Sequence, residues 1–127
     1  MSRFLWICLG GALGTGARYL LSGWLLRVAG PAFPVGTLAV NVIGSFLLGF
    51  LMQVATTTEL LGPTLRLTLT TGVMGGFTTY STFNYETLRS FEEGAAAMGI
   101  LNIAATLGGC LLAGWLGLAA GRAFAGT

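Results

Sequence analysis

The chain has 127 residues, of which 54% are hydrophobic and 8% are charged, and its mean hydropathy is +0.83. Soluble domains carry about a quarter charged residues, so this composition excludes an ordinary soluble protein and indicates one membrane-embedded domain over residues 1–127. Six Arg and four Glu are the only charged side chains, and a scattered net charge of +2 does not indicate nucleic-acid binding.

The first apolar run predicts a membrane helix over about Phe4–Val28. A cleaved signal peptide is the alternative, but the apolar sequence resumes after Arg18 and no small-residue cleavage site leads into a polar chain. Arg18 either extends to the membrane surface or lies in a vestibule, where it raises the local anion concentration. Gly10 and Gly14 are spaced for close contact with another helix.

The second predicted span is about Val35–Val54, and it follows a turn at Gly30-Pro31. This span is apolar apart from a few side chains that include Thr37 and Asn41. Asn41 recurs at helical spacing with the small residue Ser45, so the two share one face of the helix.

The third apolar run, Leu65–Phe91, contains a glycine pair near its middle. Because glycine disfavours helix, the run predicts half-helices at about Leu65–Val73 and Thr79–Phe91, joined by irregular backbone at Met74–Thr78. Free backbone groups at membrane depth must line a protein interior or a water-filled path, and broken helices of this kind bind ions. The segment is therefore the predicted functional site.

The fourth predicted span is about Ala95–Ala120. Asn102 and Thr106 lie one turn apart on one face of it, and Gly117 and Gly121 form a second small-residue pair. Four spans leave almost no mass outside the membrane, so the function must reside in the helices themselves.

The arginines show almost no bias between the two sides of the membrane. One side carries Arg3, Arg66 and Arg122, and the other carries Arg27 and Arg89, with Arg18 deeper in the first span. Since this bias sets orientation, the sequence predicts a dual-topology protein whose two orientations pair as an antiparallel homodimer. A single topology with weak bias is the alternative.

Neutral polar side chains inside the spans suggest a transport path. They are Thr37, Asn41, Ser81, Thr82, Asn102 and Thr106. These groups either line a path or bond helices to one another, and their grouping favours the path. Ring edges carry partial positive charge, so Phe83 is a candidate to contact a small anion there, and Tyr80 is a second candidate whose hydroxyl alters the ring edge.

The charged residues favour passive conduction. Glu86 is the only acid clearly inside a span, and proton-coupled transporters usually place several carboxylates or histidines there. No nucleophile–base pair or phosphate-binding loop can be assembled, so we do not expect an enzyme.

The sequence Gly75–Phe83, GGFTTYSTF, resembles the signature GGFTTFSTF of the Fluc (CrcB) fluoride channels. Further matches lie at Gly16–Tyr19 and Gly36–Phe46, and length and span layout agree over the whole chain. The resemblance implies an all-α antiparallel homodimer in the bacterial inner membrane, with four spans per chain and two narrow pores that export toxic fluoride passively.

The resemblance also implies roles for individual residues. A structural Na⁺ at the dimer centre would be held by the backbone carbonyls of Gly75 and Thr78. The implied pore residues are Asn41, Tyr80, Ser81, Thr82, Phe83 and Thr106. Position 80 departs from the family pattern, because Tyr replaces Phe there, and we expect slower fluoride throughput as a result.

Two other functions compete with this interpretation. A small multidrug exporter is also a compact four-span dimer, but it needs an acidic residue deep in its first span, and Phe4–Val28 contains none. A non-conducting membrane assembly protein would use its glycines and hydroxyls for packing alone.

Overall fold

A computed structural model describes residues 1–126, and every regular element in that range is helical. The elements are α1 (Ser2–Ala29), α2 (Val35–Thr57), α3 (Pro63–Leu67), a π-helical stretch (Thr68–Met74), α4 (Gly75–Phe77), α5 (Tyr80–Glu92) and α6 (Ala96–Ala125). Among these, α1, α2 and α6 are long and apolar enough to cross a membrane. The expected all-helical membrane class is confirmed. We call residues 63–77 together with α5 the broken span.

Two of the turns between helices need left-handed backbone. Gly30 ends α1 with φ 80°, and Gly94 lies between α5 and α6 with φ 78°, a conformation that glycine adopts without strain. α6 continues past the predicted end at Ala120 to Ala125, because Gly126 is its first left-handed residue.

The break in the helix lies at residues 78–79, so the prediction of irregular backbone over Met74–Thr78 is correct at Thr78 and wrong for Met74–Phe77. Gly75–Phe77 is helical, and extended backbone begins only at Thr78. The reason is packing, since a Cβ atom added at Gly76 would collide with the carbonyl oxygen of Gly11 on α1. Close approach of the two helices offsets the low helix propensity of glycine at this position.

The π-helical stretch before the break is rich in threonine. Thr68 and Thr70 donate their hydroxyls to the carbonyls of Thr64 and Arg66, both at 2.7 Å. Such bonds back to the preceding turn perturb a helix, and π-helical segments are frequent at functional sites.

Two helix pairs hold the structure together through glycine contacts. On α1, a Cβ at Gly10 would lie 2.6 Å from the carbonyl oxygen of Thr68, and Gly14 is similarly enclosed by the π-helical stretch. On α6, a Cβ at Gly117 would meet the backbone of Phe46 on α2. The predicted small-residue contacts are thus confirmed, and they fix the broken span between α1 and the α2–α6 pair.

Candidate functional site

Asn41 on α2 holds the break in the broken span. The N–H of Thr79 donates to Asn41 Oδ1 at 2.8 Å, and Asn41 Nδ2 donates to the carbonyl oxygen of Thr79 at 3.0 Å. Thr79 in turn begins α5, because its hydroxyl accepts a hydrogen bond from the N–H of Thr82 at 3.3 Å. The Asn41 side chain therefore satisfies both the N–H and the carbonyl of Thr79, whose backbone is extended.

These bonds divert two N–H groups from the carbonyls they would meet in a continuous helix. The Thr79 N–H would otherwise bond the carbonyl of Gly75, and the Thr82 N–H would bond the carbonyl of Thr78. Both now donate to side chains instead. The carbonyl of Gly76 has a different partner, since it accepts from Arg18 Nε at 2.9 Å. The break thus removes the helical donors from Gly75 and Thr78.

An inner cavity of about 450 Å³ lies beside the break, between α2, the broken span and α6. The predicted site residues that line it are Asn41, Gly75, Thr78, Tyr80, Phe83 and Thr106. The rings of Tyr80 and Phe83 meet edge to face, with centroids 5.6 Å apart and an interplanar angle of 71°. Phe83 is buried, but Tyr80 is 75% exposed, so its ring projects from the single chain.

An outer cavity of about 690 Å³ lies on the other side of the break, between α1, α2 and α5. Arg18, Thr37 and Thr82 line it, and so does Glu86, whose Oε1 is buried without a hydrogen bond within the described residues. Thr79 lines both cavities. Arg18 therefore lines this cavity and is tied to the break through the carbonyl oxygen of Gly76.

Asn102 lies in a buried network outside both cavities. It is 2% exposed, and its Nδ2 donates to Thr87 Oγ1 at 2.9 Å. Thr106 donates to Asn102 Oδ1 at 3.3 Å, and Thr87 donates to the carbonyl oxygen of Phe83 at 2.8 Å. Asn102 therefore connects the inner-cavity residues Thr106 and Phe83, and it fixes α5 against α6.

Ser81 differs from its neighbour Thr82, because it is exposed in the single chain and lines neither cavity. Thr79 and Thr87 were not singled out. The sequence offers a signal for Thr79, because threonine is favoured as a helix N-cap. Its hydroxyl accepts from the N–H three residues later, here that of Thr82.

The comparison with known proteins bears on the same segment. The sequence profile described as "CrcB-like protein, Camphor Resistance (CrcB)" matches residues 5–118, which includes both cavities and the break. The chain belongs to the CrcB family. The resemblance seen in the signature at Gly75–Phe83 is therefore confirmed.

Similar CrcB proteins share nearly the full length of the chain. A protein of Sorangium cellulosum named "Fluoride-specific ion channel FluC" is 63% identical over 96% of each chain. A protein of Anaeromyxobacter sp. strain K with the same name is 58% identical over 89% of this chain and 90% of its own. Another of that name, from Geobacter sulfurreducens, is 50% identical over 96% of this chain and 98% of its own. Together with the membrane-spanning helices, these relatives identify a multi-pass membrane protein of a family that includes ion channels.

Proposed function

We propose that the chain forms a fluoride-selective channel that exports F⁻ passively and relieves fluoride toxicity. The observation that carries this proposal is a pair of cavities, each with hydroxyl or amide side chains set in largely apolar walls, that share Thr79 on either side of a break held by Asn41. The names of the similar CrcB proteins support fluoride as the ion.

The chemistry of the cavities suits a small, strongly hydrated anion. Removing water from an ion costs several kcal/mol or more unless other donors replace it. Hydroxyl and amide donors from Thr37, Asn41 and Thr82, with ring edges at Tyr80 and Phe83, supply such contacts without a trapping positive charge. Thr106 donates its O–H to Asn102 Oδ1, and it would join these donors when that hydroxyl rotates toward the cavity. We assign Ser81 and Asn102 to the same fluoride path. Ser81 lies on an exposed face of α5 outside the two cavities, and Asn102 supports Thr106 through a hydrogen bond. Arg18 would raise the anion concentration in the outer cavity, which acts as the vestibule.

A structural Na⁺ fits the residues at the break. Hard cations prefer oxygen ligands, and the carbonyls of Gly75 and Thr78 have lost their helical donors beside the inner cavity. No group of three His, Cys, Asp or Glu side chains able to hold a metal occurs within residues 1–126, which leaves backbone oxygens as the candidate ligands. When bound, Na⁺ would supply a fixed positive charge at the centre of the assembly.

We further propose an antiparallel, dual-topology homodimer in the bacterial inner membrane. A Cβ atom added at Gly75 would meet nothing within 4 Å, and Tyr80 projects outward from the rim of the inner cavity. A second copy would cover both and supply the second ligand pair for Na⁺. The weak arginine bias allows the two copies to insert in opposite orientations.

Fluoride efflux from liposomes tests the proposal. Purified protein should release trapped fluoride to a fluoride electrode and should retain chloride, since a pore built for a small anion excludes a larger one. Uptake of an organic cation would instead favour a multidrug exporter, and vesicles as tight as protein-free ones would favour a non-conducting assembly protein. Either result would overturn the channel.

A further inference from the structure

The outward face of α1 carries a tryptophan near each end of the helix. Trp6 and Trp24 are 18 residues apart in the sequence, and both are more than half exposed. Eighteen residues make five full turns of an α-helix, so the two indoles project from the same face, about 27 Å apart along the axis. Three leucines on the same side of the helix, also more than half exposed, lie between them: Leu9, Leu13 and Leu20.

An arginine lies one turn beyond each tryptophan, toward the end of the helix. Arg3 precedes Trp6 by three residues, Arg27 follows Trp24 by three, and both arginines are exposed. α1 contains no acidic residue. Tryptophan and arginine are the side chains that fix a helix at the two membrane interfaces, because the indole lies at the level of the head groups and the guanidinium is attracted to their phosphates.

The midpoint between the two tryptophans lies level with the break in the broken span. This midpoint is Thr15, and a Cβ atom added at Gly76 would lie 3.0 Å from the N atom of Thr15. Gly76 is only two residues before the extended backbone at Thr78. Since the hydrocarbon layer of a bilayer is about 30 Å thick, tryptophans about 27 Å apart and centred on Thr15 match its two surfaces.

We propose that the face of α1 between Trp6 and Trp24 contacts lipid directly, with one indole in each head-group layer and the break near the middle of the bilayer. The inference concerns the lipid-facing surface and does not depend on fluoride transport. The arginine and tryptophan have the same order and spacing when α1 is read from either end, so this face fits the membrane equally well in both orientations.

The chemistry of the face suits lipid better than a second copy of the chain. The side chains at hydrocarbon depth are leucines, and the charged groups occur only at the two ends. The small residues of α1 that permit close helix contact, Gly10 and Gly14, already pack against the π-helical stretch. The second copy of the proposed dimer would cover Gly75 and Tyr80 instead.

Fluorescence quenching by brominated phosphatidylcholine tests the depth of each indole. Trp115 is the third tryptophan, so single-tryptophan proteins are made by changing the other two to Phe. Vesicles carry bromine either near the ester bonds or near the ends of the acyl chains. We expect Trp6 and Trp24 to be quenched more strongly by the shallow bromines, and both to lie about 13 Å from the bilayer centre, which is half of their spacing.

The control is Leu13→Trp in a chain whose three native tryptophans are changed to Phe. Leu13 is exposed and two residues from Thr15, so its replacement should lie about 3 Å from the bilayer centre and be quenched more strongly by the deep bromines. If the multiply substituted chains do not fold, Trp6→Phe and Trp24→Phe are made singly in the unaltered chain. Each should then remove an equal share of the shallow quenching.

Two results would overturn the inference. Clearly different depths for Trp6 and Trp24 would mean that α1 is displaced along the membrane normal and that the break lies away from the centre. Indoles that neither set of bromines quenches would mean that protein, such as a second copy, covers the face. Failure of the unaltered chain to release fluoride would count against the channel and would leave the measured depths unaffected.

Discussion

The Asn41 side chain holds the helix break in place and thereby frees a backbone carbonyl for the proposed Na⁺ site. Its amide bonds both polar groups of the Thr79 backbone, and the Thr79 N–H is thereby withdrawn from the Gly75 carbonyl. A residue interpreted as part of an ion path is therefore also a positioning residue for the proposed Na⁺ ligands. The two roles depend on different hydrogen bonds, because Oδ1 holds the Thr79 N–H, whereas Nδ2 donates one N–H to the Thr79 carbonyl and keeps the other for the ion path.

This division predicts different sodium responses for two substitutions at Asn41. In Asn41→Leu the Thr79 N–H can return to the Gly75 carbonyl, so the site for Na⁺ is lost. Asn41→Asp keeps an acceptor for that N–H, so the site is retained. A ligand present at 100 times its dissociation constant stabilises a protein by about 2.7 kcal/mol, which is readily seen as a shift in melting temperature.

The measurement is thermal unfolding in NaCl and in N-methylglucamine chloride. We expect the unaltered chain and Asn41→Asp to melt several degrees higher in NaCl, and Asn41→Leu to melt at nearly the same temperature in both salts. Thr106→Val is the control, because Thr106 lines the inner cavity but bonds to Asn102 and not to the break. An Asn41→Leu protein that kept the full sodium response would contradict the assignment.

We expect the hydroxyl of Tyr80 to slow fluoride transport. Its hydroxyl adds a hydrogen-bonding group at the rim of the inner cavity, where the signature it resembles has Phe. One hydrogen bond is worth about 1 kcal/mol, which corresponds to about 5-fold in rate, so Tyr80→Phe should speed fluoride efflux by roughly that factor. Efflux from liposomes measures the rate. Equal rates for the unaltered chain and Tyr80→Phe would rule out an effect of the hydroxyl.

At the level of the helices, two glycines on α1 distinguish the effect of helix packing from that of helix propensity, because one is enclosed and the other is open. A Cβ at Gly14 would lie 2.9 Å from the N atom of Phe77 and closer still to Val73, whereas a Cβ at Gly16 would meet nothing within 4 Å. Gly14→Ala should therefore destabilise the fold by about 1–3 kcal/mol, as overpacking does. Gly16→Ala should be neutral or stabilising by up to about 1 kcal/mol, since alanine favours helix.

Chemical denaturation followed by tryptophan fluorescence compares these two variants, and each serves as the control for the other. Equal loss of stability in both would mean that α1 does not pack on the broken span through Gly14. A loss in Gly14→Ala alone would support the contact with α4 and the π-helical stretch.

The helices and the identity of the broken span follow from local sequence, but the position of the break does not. Apolar runs and the threonine-rich signature are local patterns, and they locate the segment. The break depends on Asn41, which lies 38 residues before Thr79, and on α1, which makes helical glycine favourable at Gly76. Ser81 illustrates the same limit, because neighbouring hydroxyls in one helix turn face different surroundings. Propensity alone therefore placed the irregular backbone on the glycines instead of on residues 78–79.

For the whole molecule, the single chain leaves polar and small groups uncovered along one side. Gly75, Tyr80 and Asn84 are exposed on this side. In the proposed dimer, a second copy would cover this surface and the rim of the inner cavity, and the surface would not face lipid.

An antiparallel dimer requires copies of the chain that are inserted into the membrane in both orientations. The N-terminal end of α1 and the start of α3 lie at the same end of the molecule, where Arg3 Nε contacts Thr64 at 3.4 Å, and Arg27 lies in the last turn of α1 at the other end. Arg3→Gln and Arg27→Gln should therefore bias insertion in opposite directions, since orientation follows the arginine count near the span ends. A reporter fused to the C-terminus, active on one side of the membrane only, measures the ratio of orientations.

We expect both orientations of the unaltered chain in similar amounts and a shift of several-fold in each variant. Each variant expressed alone should give weak fluoride resistance in cells, because opposite partners are scarce, and co-expression of the two should restore resistance, because each supplies the orientation that the other lacks. A single fixed orientation of the unaltered chain would exclude the antiparallel pair. Full resistance from either strongly biased variant alone would exclude it as well, since parallel copies would then suffice.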